Sequence, residues 1–259
     1  MAFRPVALTI AGSDPSGGAG IQADLKTFHQ LGVYGEAAIT LITVQNTRGV
    51  SRVECLDPEL VSRQFEAVLE DIPPAAAKTG ALGNQAIVRA VARAAATFPF
   101  PLVVDPVMIG KHGAPLMAED ARAAVARELI PRAFLLTPNL HEASALTGFA
   151  VATLEEMRRA AVKLHEMGAA NVLVKGGHLM GDAIDVLLAN GEWSEFPAPR
   201  FETKHTHGTG CTYSAAITAY LALGCGLREA VSRAKRFITE AIRTNPGLGG
   251  GSGPVNHWV

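Results

Sequence analysis

The sequence predicts an α/β fold in which helices cover both faces of a mostly parallel sheet. Short apolar runs alternate along the chain with longer runs of helical period, which is the pattern of successive β-α units. The short runs are apolar throughout, as in strands that are buried on both faces of a parallel sheet. No internal repeat, linker or low-complexity boundary divides the chain, so we expect one domain over residues 1–259.

The N-terminal half of the chain alternates strands with helices. The predicted strands are apolar or β-branched runs, and they lie at residues 6–11, 37–44, 50–56, 75–80 and 102–104. The predicted helices have apolar residues at intervals of three and four, and they lie at residues 20–31, 58–70 and 84–97. In the helix at 58–70, for example, Val61, Phe65 and Val68 fall on one face.

The C-terminal half continues the alternation and then ends in helices. Strands are predicted at residues 134–136, 172–174, 184–188 and 193–196. Helices are predicted at residues 119–129, 154–167, 211–223 and 227–244. Asn190-Gly191 joins the last two strands, which is typical of a hairpin. The glycine-rich tail at 247–254 is predicted to be a loop.

Composition indicates a globular protein and excludes several classes. Of the 259 residues, 48% are hydrophobic and 18% are charged, which excludes a disordered or fibrous chain. The 23 basic residues nearly balance the 24 acidic ones. Without a basic excess, bulk charge would hold neither a nucleic acid nor an anionic membrane, so we expect neither as a partner.

Cysteine content and hydropathy favour a soluble protein of the cytoplasm. The three cysteines are Cys55, Cys211 and Cys225, and no C-x-x-C motif occurs, so neither a disulfide framework nor a structural zinc site is expected. Asp14 interrupts the first apolar run, which is too short for a signal peptide. In the longest uncharged stretch only residues 215–227 are largely apolar, fewer than the ~20 needed to cross a bilayer.

Polar residues stand where the predicted strands end. Sheets of this type bind their ligands beyond the carboxyl ends of the strands. At or just after those ends the sequence has Asp14, Gln45-Asn46, Asp105, Asn139 and Lys175. We therefore expect the functional site at this edge of the sheet.

The glycine-rich loop at residues 12–20 follows the first strand and opens the first helix. Residues 18–23 match the dinucleotide fingerprint G-x-G-x-x-A. However, Gln45-Asn46 stands where that fold has its ribose-binding acid, and Ala19 stands where a Walker A loop has its lysine. The loop is therefore either a tight structural turn or a device that lets the backbone close over a small ligand.

A second glycine-rich segment, Gly208-Thr209-Gly210, precedes Cys211 at the start of a predicted helix. Its free N–H groups and the helix dipole favour an anion, and we call this segment the nest. At such a position the pKa of the Cys211 thiol is expected to be lowered from ~8.5. The alternative for Cys211 is a small buried hydrophobic residue, which is how we interpret the other two cysteines.

Asp105, Asn139, Glu142 and Lys175 end strands or open the helices after them. Two carboxylates, an amide and a lysine can together hold Mg²⁺ and a polyphosphate. Taken singly, each fits a helix cap or a surface charge, and Asn139 with Glu142 has the spacing of a capping box. We interpret His207 as a loop residue that forms hydrogen bonds, without a catalytic role.

Six segments carry a resemblance to a known family. They are TIAGSDPSGGAGIQADLK at 9–26, VQNT at 44–47, VDPV at 104–107, TPN at 137–139, KGGH at 175–178 and THGTGC at 206–211. Together they resemble the bacterial hydroxymethylpyrimidine/phosphomethylpyrimidine kinases of thiamine biosynthesis, from about residue 6 to residue 257. This resemblance implies the ribokinase-like fold, a three-layer α/β/α sandwich with a small β flap over the substrate.

The resemblance also implies where the pyrimidine binds. The substrate is expected beneath the loop at Gly12, held by Asp24 and Gln45, with Val107 against its face. Gln45 can offer both a donor and an acceptor to the aminopyrimidine edge. The nest would form the anion hole for the transferred phosphoryl group. Cys211 occupies the place where most ribokinase-like enzymes carry an aspartate base, and it would accept the hydroxyl proton late.

The second substrate implied is ATP with Mg²⁺. Asp105 and Glu142 would organise the metal, partly through water. The residues implied for the nucleotide are Asn139, Lys175, Thr203 and Lys235. The activity implied is phosphorylation of 4-amino-5-hydroxymethyl-2-methylpyrimidine and then of its monophosphate, by a cytoplasmic homodimer.

Some positions depart from the family, and other functions compete with this one. His205 stands where the family commonly has Asn, residues 111–115 differ from the usual Lys-Ser-Gly-Asp-Pro, and residues 250–254 lack a histidine. A pyridoxal kinase would share the fold, but Cys211 in place of Asp favours the pyrimidine kinase. Two alternatives remain. A binding module without catalysis is opposed by the intact nest, and a nicotinamide dehydrogenase is opposed by the missing ribose-binding acid.

Overall fold

The structure is a computed structural model of the chain. It describes residues 4–110, 113, 115–177, 179 and 181–259. Of the segments singled out above, Lys111, His112 and Ala114 of 111–115 and His178 of the KGGH motif lie outside the described residues. In the described ranges, no helix combines the length and the apolar character that a membrane span requires.

One nine-stranded sheet lies at the centre. Its strands are β1 (Val6–Ser13), β2 (Tyr34–Asn46), β3 (Gly49–Cys55), β4 (Ala76–Thr79), β5 (Leu102–Val104), β6 (Leu135–Leu136), β7 (Asn171–Val174), β8 (Asp185–Ala189) and β9 (Glu192–Phe196). They are arranged in the order β3-β2-β1-β4-β5-β6-β7-β8-β9. The pairings from β2 through β7 are parallel, and those at the two edges are antiparallel. The prediction of a mostly parallel sheet is confirmed.

Helices pack on both faces of the sheet. They are α1 (Gly20–Gln30), α2 (Pro58–Asp71), α3 (Gln85–Ala95), α4 (Glu119–Ala124), α5 (Leu140–Thr147), α6 (Leu154–Glu166), α7 (Thr209–Ala222) and α8 (Leu227–Arg243). One core lies between the sheet and α2 to α6, and two smaller clusters lie beneath α1, α7 and α8. Adjacent strand residues point to opposite faces, so Val104 joins the first core and Val103 the cluster beneath α7 and α8.

Most predicted elements are present, with differences at particular ends. The helix predicted at 119–129 ends as a π turn at Val125–Leu129. Strand β2 begins three residues before its predicted start, because Tyr34, Gly35 and Glu36 pair with β1 although Gly and Glu are poor strand formers. Helix α5 is not among the helices predicted above, although the spacing of Asn139 and Glu142 indicates its capping box.

The long strand β2 builds the flap. It pairs with β1 only as far as Ile42 and continues to Asn46 with β3 as its partner. The β2–β3 ribbon therefore extends beyond the carboxyl ends of the parallel strands. Its turn is joined to the C-terminal tail, because the Ser252 N–H donates to the Thr47 carbonyl at 2.7 Å.

Candidate active site

The two glycine-rich loops predicted to bind ligands touch each other. Gly208, the residue before α7, has φ +79°, and a Cβ there would overlap the carbonyl oxygen of Gly18. Within the first loop, Gly20 has φ +56°, and a Cβ there would overlap the carbonyl oxygen of Gly12. Glycine is required at both positions because neither the backbone angle nor the space admits a side chain.

A buried contact between side chains links the same two loops. The imidazole Nε2 of His207 lies 2.8 Å from Oδ2 of Asp14, and the same oxygen accepts from the Ala19 N–H at 2.9 Å. Burial alone would raise the pKa of Asp14, but hydrogen bonds from His207, Gln45 and Ser16 hold it well below the usual range. The interpretation of His207 as a hydrogen-bonding loop residue is confirmed.

The tail closes the site from the other side. The N–H of His207 donates to the Gly253 carbonyl at 3.0 Å, and the Val255 N–H donates back to the His207 carbonyl at 3.2 Å. Because the tail also contacts Thr47 in the flap turn, it connects the flap to the nest.

Cys211 lies half-buried in the first turn of α7. Burial raises the pKa of its thiol to about 11, and the nearby Lys78 amine and a hydrogen bond with the Gly20 backbone offset this only in part. The expectation of a lowered pKa is therefore wrong. The helix terminus does favour a thiolate, but withdrawal from water outweighs that effect here.

Asp24 lies beneath Cys211 and is fully covered. Its Oδ1 accepts from the Lys78 amine at 2.7 Å, and its Oδ2 accepts from the Thr9 hydroxyl at 2.6 Å. Burial raises the pKa of Asp24, and Lys78 and Thr9 oppose that rise. Its predicted role as a direct substrate ligand stays a prediction, and this packing favours a supporting role instead.

Asp105 and Lys175 form another buried pair. Lys175 Nζ lies 2.8 Å from Asp105 Oδ1, and Ser214 of α7 donates to Oδ2 at 3.2 Å. A Cβ placed on Gly210 would lie 3.6 Å from both the Asp105 carboxylate and the Lys175 amine. The structure thus brings the nest, Asp105 and Lys175 together, as expected from their places at strand ends.

Asn139 and Glu142 form the capping box of α5. The Asn139 side chain accepts from the Glu142 N–H at 2.9 Å, and the Glu142 carboxylate accepts from the Asn139 N–H at 2.8 Å. Burial raises the pKa of Glu142, Lys175 opposes the rise and Asp105 adds to it. Both residues therefore cap a helix and also lie near the Asp105–Lys175 pair.

The remaining predicted residues lie around this centre or near it. Gly12 is buried, with Leu41 where a Cβ would stand. Gln45 and Val107 are half-buried, and Gln45 contacts Asp14. Their roles toward the pyrimidine stay predictions.

Thr203 and Lys235 are engaged within the protein. The Thr203 hydroxyl accepts from the His205 N–H at 3.1 Å. The Lys235 amine donates to Asp185 at 2.7 Å and to the Ala183 carbonyl at 2.9 Å. Their roles toward the nucleotide also stay predictions.

The acidic residues suit a magnesium ion that is bound largely through its substrate. The described residues contain no group of three or more His, Cys, Asp or Glu side chains that could hold a metal alone. Mg²⁺, however, is usually bound by one or two carboxylates together with waters and substrate phosphates. Asp105 and Glu142, which both act on Lys175, would supply two such carboxylates.

Comparison with known proteins places this site in context. Residues 14–256 match the family model described as phosphomethylpyrimidine kinase. The hydroxymethylpyrimidine/phosphomethylpyrimidine kinase of Haemophilus influenzae is 49% identical over 97% of this chain and 96% of its own. The thiamine biosynthesis bifunctional protein ThiED of Geobacter sulfurreducens is 50% identical over 98% of this chain, which spans only 52% of that relative.

A solved structure shows the same architecture. The ADP complex of Bacillus subtilis pyridoxal kinase has a TM-score of 0.91 and 38% identity, with 98% of both chains covered. The ribokinase-like fold predicted from the sequence is confirmed by this likeness.

Proposed function

Because the chain belongs to the phosphomethylpyrimidine kinase family, we propose that it transfers phosphoryl groups from ATP to 4-amino-5-hydroxymethyl-2-methylpyrimidine and then to the monophosphate formed. The observation that carries this proposal is the packing of the nest against the Asp105–Lys175 pair. Backbone N–H groups at the start of α7 and the Lys175 amine are the groups that would bind a phosphoryl group there.

The pyrimidine is proposed to bind between the loop 12–20 and the flap. Gln45 lies on the part of β2 that extends past β1, where its amide faces the loop at Asp14. An amide has both donors and acceptors for an aminopyrimidine edge. Val107 follows Asp105 closely and is half-buried, so it can cover one face of the ring.

The nucleotide phosphates are proposed to meet the nest and Lys175. In each transfer the substrate oxygen forms a bond to the γ-phosphorus while the bond from that phosphorus to the leaving ADP oxygen breaks. This reaction passes through a loose transition state, so fixed dipoles and positioning supply most of the catalysis. Mg²⁺ held by Asp105 and Glu142 would neutralise phosphate charge.

The hydroxyl proton need not be removed early. A thiol with a pKa of about 11 is protonated at neutral pH, so Cys211 is not a resting base. As the new P–O bond forms, the hydroxyl becomes acidic and its proton can pass to a phosphoryl oxygen. Cys211 then acts as a neutral neighbour of the hydroxyl, with a weakly accepting sulfur.

A second candidate function is phosphorylation of pyridoxal. It is favoured by the likeness to a solved pyridoxal kinase. Like the pyrimidine, pyridoxal is an aromatic nitrogen ring that carries a hydroxymethyl group, so the same loop and flap could hold it.

One assay separates these functions. Purified full-length protein is incubated with Mg-ATP and either ring, and products are followed by mass. We expect the monophosphate and then the diphosphate of the pyrimidine, and slower or no product from pyridoxal. The absence of both pyrimidine products would disprove the proposal. The proposed homodimer is tested separately by light scattering on the same sample.

A further inference from the structure

Lys78 is a fully buried lysine in the middle of the sheet. It lies on β4, and its register partner on β1 is Thr9. Its amine is 2.7 Å from Asp24 of α1, whose other oxygen accepts from the Thr9 hydroxyl. All three side chains are 0% exposed. A charge in such a place requires a partner, and the partner lies directly beneath the active site.

The backbone geometry directs this pair toward Cys211. Ala76 and Lys78 are two residues apart on β4 and so share one face of the sheet. Ala76 packs with Ala215 and Ala219 of α7. Cys211 stands four residues before Ala215, hence on the same helix face. The first turn of α7 therefore presents Cys211 to the sheet face that carries Lys78.

Four charged groups act on the Cys211 thiol from the surrounding elements. Lys78 and Asp24 approach from β4 and α1, Asp105 from the end of β5, and Lys175 from the end of β7. They form two ion pairs, each neutral as a whole. Without Asp24, the positive charge of Lys78 would act on the thiol unopposed, and Coulombic attraction would favour the thiolate.

We propose that Asp24 is a positioning residue that, by neutralising Lys78, keeps Cys211 in its thiol form and leaves the nest without a negative charge of its own. A thiolate beside the nest would repel an incoming phosphoryl group in a site of low dielectric. The effect of this repulsion on catalysis rests on the proposed function, whereas the predicted protonation state of Cys211 does not.

The test is the pH dependence of Cys211 alkylation in the full chain without nucleotide or pyrimidine. Iodoacetamide reacts with the thiolate, and peptide mass spectrometry assigns the rate to Cys211. For the wild type, we expect the midpoint of the alkylation rate to lie above pH 9.0. For Asp24→Asn, we expect a midpoint at least one pH unit lower and alkylation about threefold faster at pH 8.

A matched control is available in the same molecule. Asp185 is also a buried carboxylate paired with a lysine, Lys235, at 2.7 Å, but this pair joins β8 to α8 and does not belong to the β4–α1 pair that faces the first turn of α7. Asp185→Asn should leave the Cys211 midpoint unchanged. A shift of the same size in both variants would assign the effect to general loosening and would overturn the proposal.

Two further outcomes would also contradict it. One is an unchanged midpoint in Asp24→Asn that circular dichroism shows to be folded. The other is a wild-type midpoint below pH 9.0, which would contradict the proposal even if Asp24→Asn does not fold. Since the measurement uses neither substrate, a failed kinase assay would leave its result intact, and the two proposals fail separately.

Discussion

His207 and Asp14 are 193 positions apart in the sequence, and their side chains meet at 2.8 Å between the two glycine-rich loops. Asp14 accepts further hydrogen bonds from the backbone of its own loop. The pair therefore fixes the first loop against the nest more firmly than backbone contact alone.

Removing the imidazole of His207 should weaken the contact between the two glycine-rich loops. His207→Ala is expected to lower the free energy of unfolding by about 2 kcal/mol, the usual cost of losing a hydrogen bond to a buried charge. Urea denaturation at pH 7 measures it. Arg243→Ala, which removes only an exposed ion pair with Glu240, should cost less than about 0.5 kcal/mol. Equal losses in the two variants would contradict the prediction.

A side chain at Gly208 should be far more costly than one at a comparable glycine. Gly208→Ala meets the Gly18 carbonyl as well as an unfavourable φ of +79°, whereas Gly148 has φ +80° and open space around it. We expect about 1 kcal/mol from backbone strain in Gly148→Ala and at least twice that in Gly208→Ala, with loss of kinase activity. Urea denaturation and turnover measure both, and similar values would count against the contact.

Glu36 should make stability depend on pH. It is buried on β2, and among the described residues neither of its carboxylate oxygens has a hydrogen-bond partner. Burial, and secondarily Asp71, raises its pKa from 4.5 to about 7. Since the folded pKa lies above the unfolded one, the stabilisation that this group contributes is present below pH 4.5 and is lost as the pH rises through 7.

Replacing Glu36 with glutamine, which cannot ionise, should remove this loss of stability at high pH. Glu36→Gln is expected to match the wild type near pH 4.5 and to exceed its free energy of unfolding by about 3 kcal/mol at pH 8. Urea denaturation at both pH values gives the comparison. A difference that does not change with pH would show that Glu36 does not titrate in this range.

Cys211→Ala should affect turnover more than nucleotide binding. Loss of the neutral thiol beside the hydroxyl is expected to lower kcat by about tenfold, the effect of one hydrogen bond in the transition state, while the KM for ATP changes less than twofold. Steady-state kinetics with the pyrimidine measures both values. Unchanged turnover would mean that positioning alone carries out the chemistry.

Gln45→Ala should weaken recognition of the pyrimidine specifically. Loss of the amide is expected to raise the KM for the pyrimidine about tenfold, the effect of one or two hydrogen bonds, with a smaller change in the KM for ATP. An equal rise in both constants would discredit its assigned role.

The sequence predicted those features of the site that depend on residues close together in the chain. The Asn139–Glu142 capping box depends on a three-residue spacing, and the nest depends on three consecutive residues at a helix start. Both patterns are local, and both are present in the structure.

Burial and long-range pairing were harder to predict. The pKa of Cys211 was predicted with the wrong sign because desolvation depends on α1 and β4, which are distant in sequence. Lys78 does not belong to any of the patterns described above, although a lysine within the apolar run 75–80 is itself a signal of a buried partner. The family resemblance assigns Asp24, its partner, to the substrate.

The tail that joins Thr47 to His207 has a consequence for the order of folding. It links parts of the chain that are more than 150 positions apart, so the complete site is a structure of high contact order. Helices can form early from local contacts, but the flap and the nest can be linked only after the sheet between them has assembled. The catalytic geometry should therefore be among the last features gained in folding and among the first lost when the sheet is destabilised.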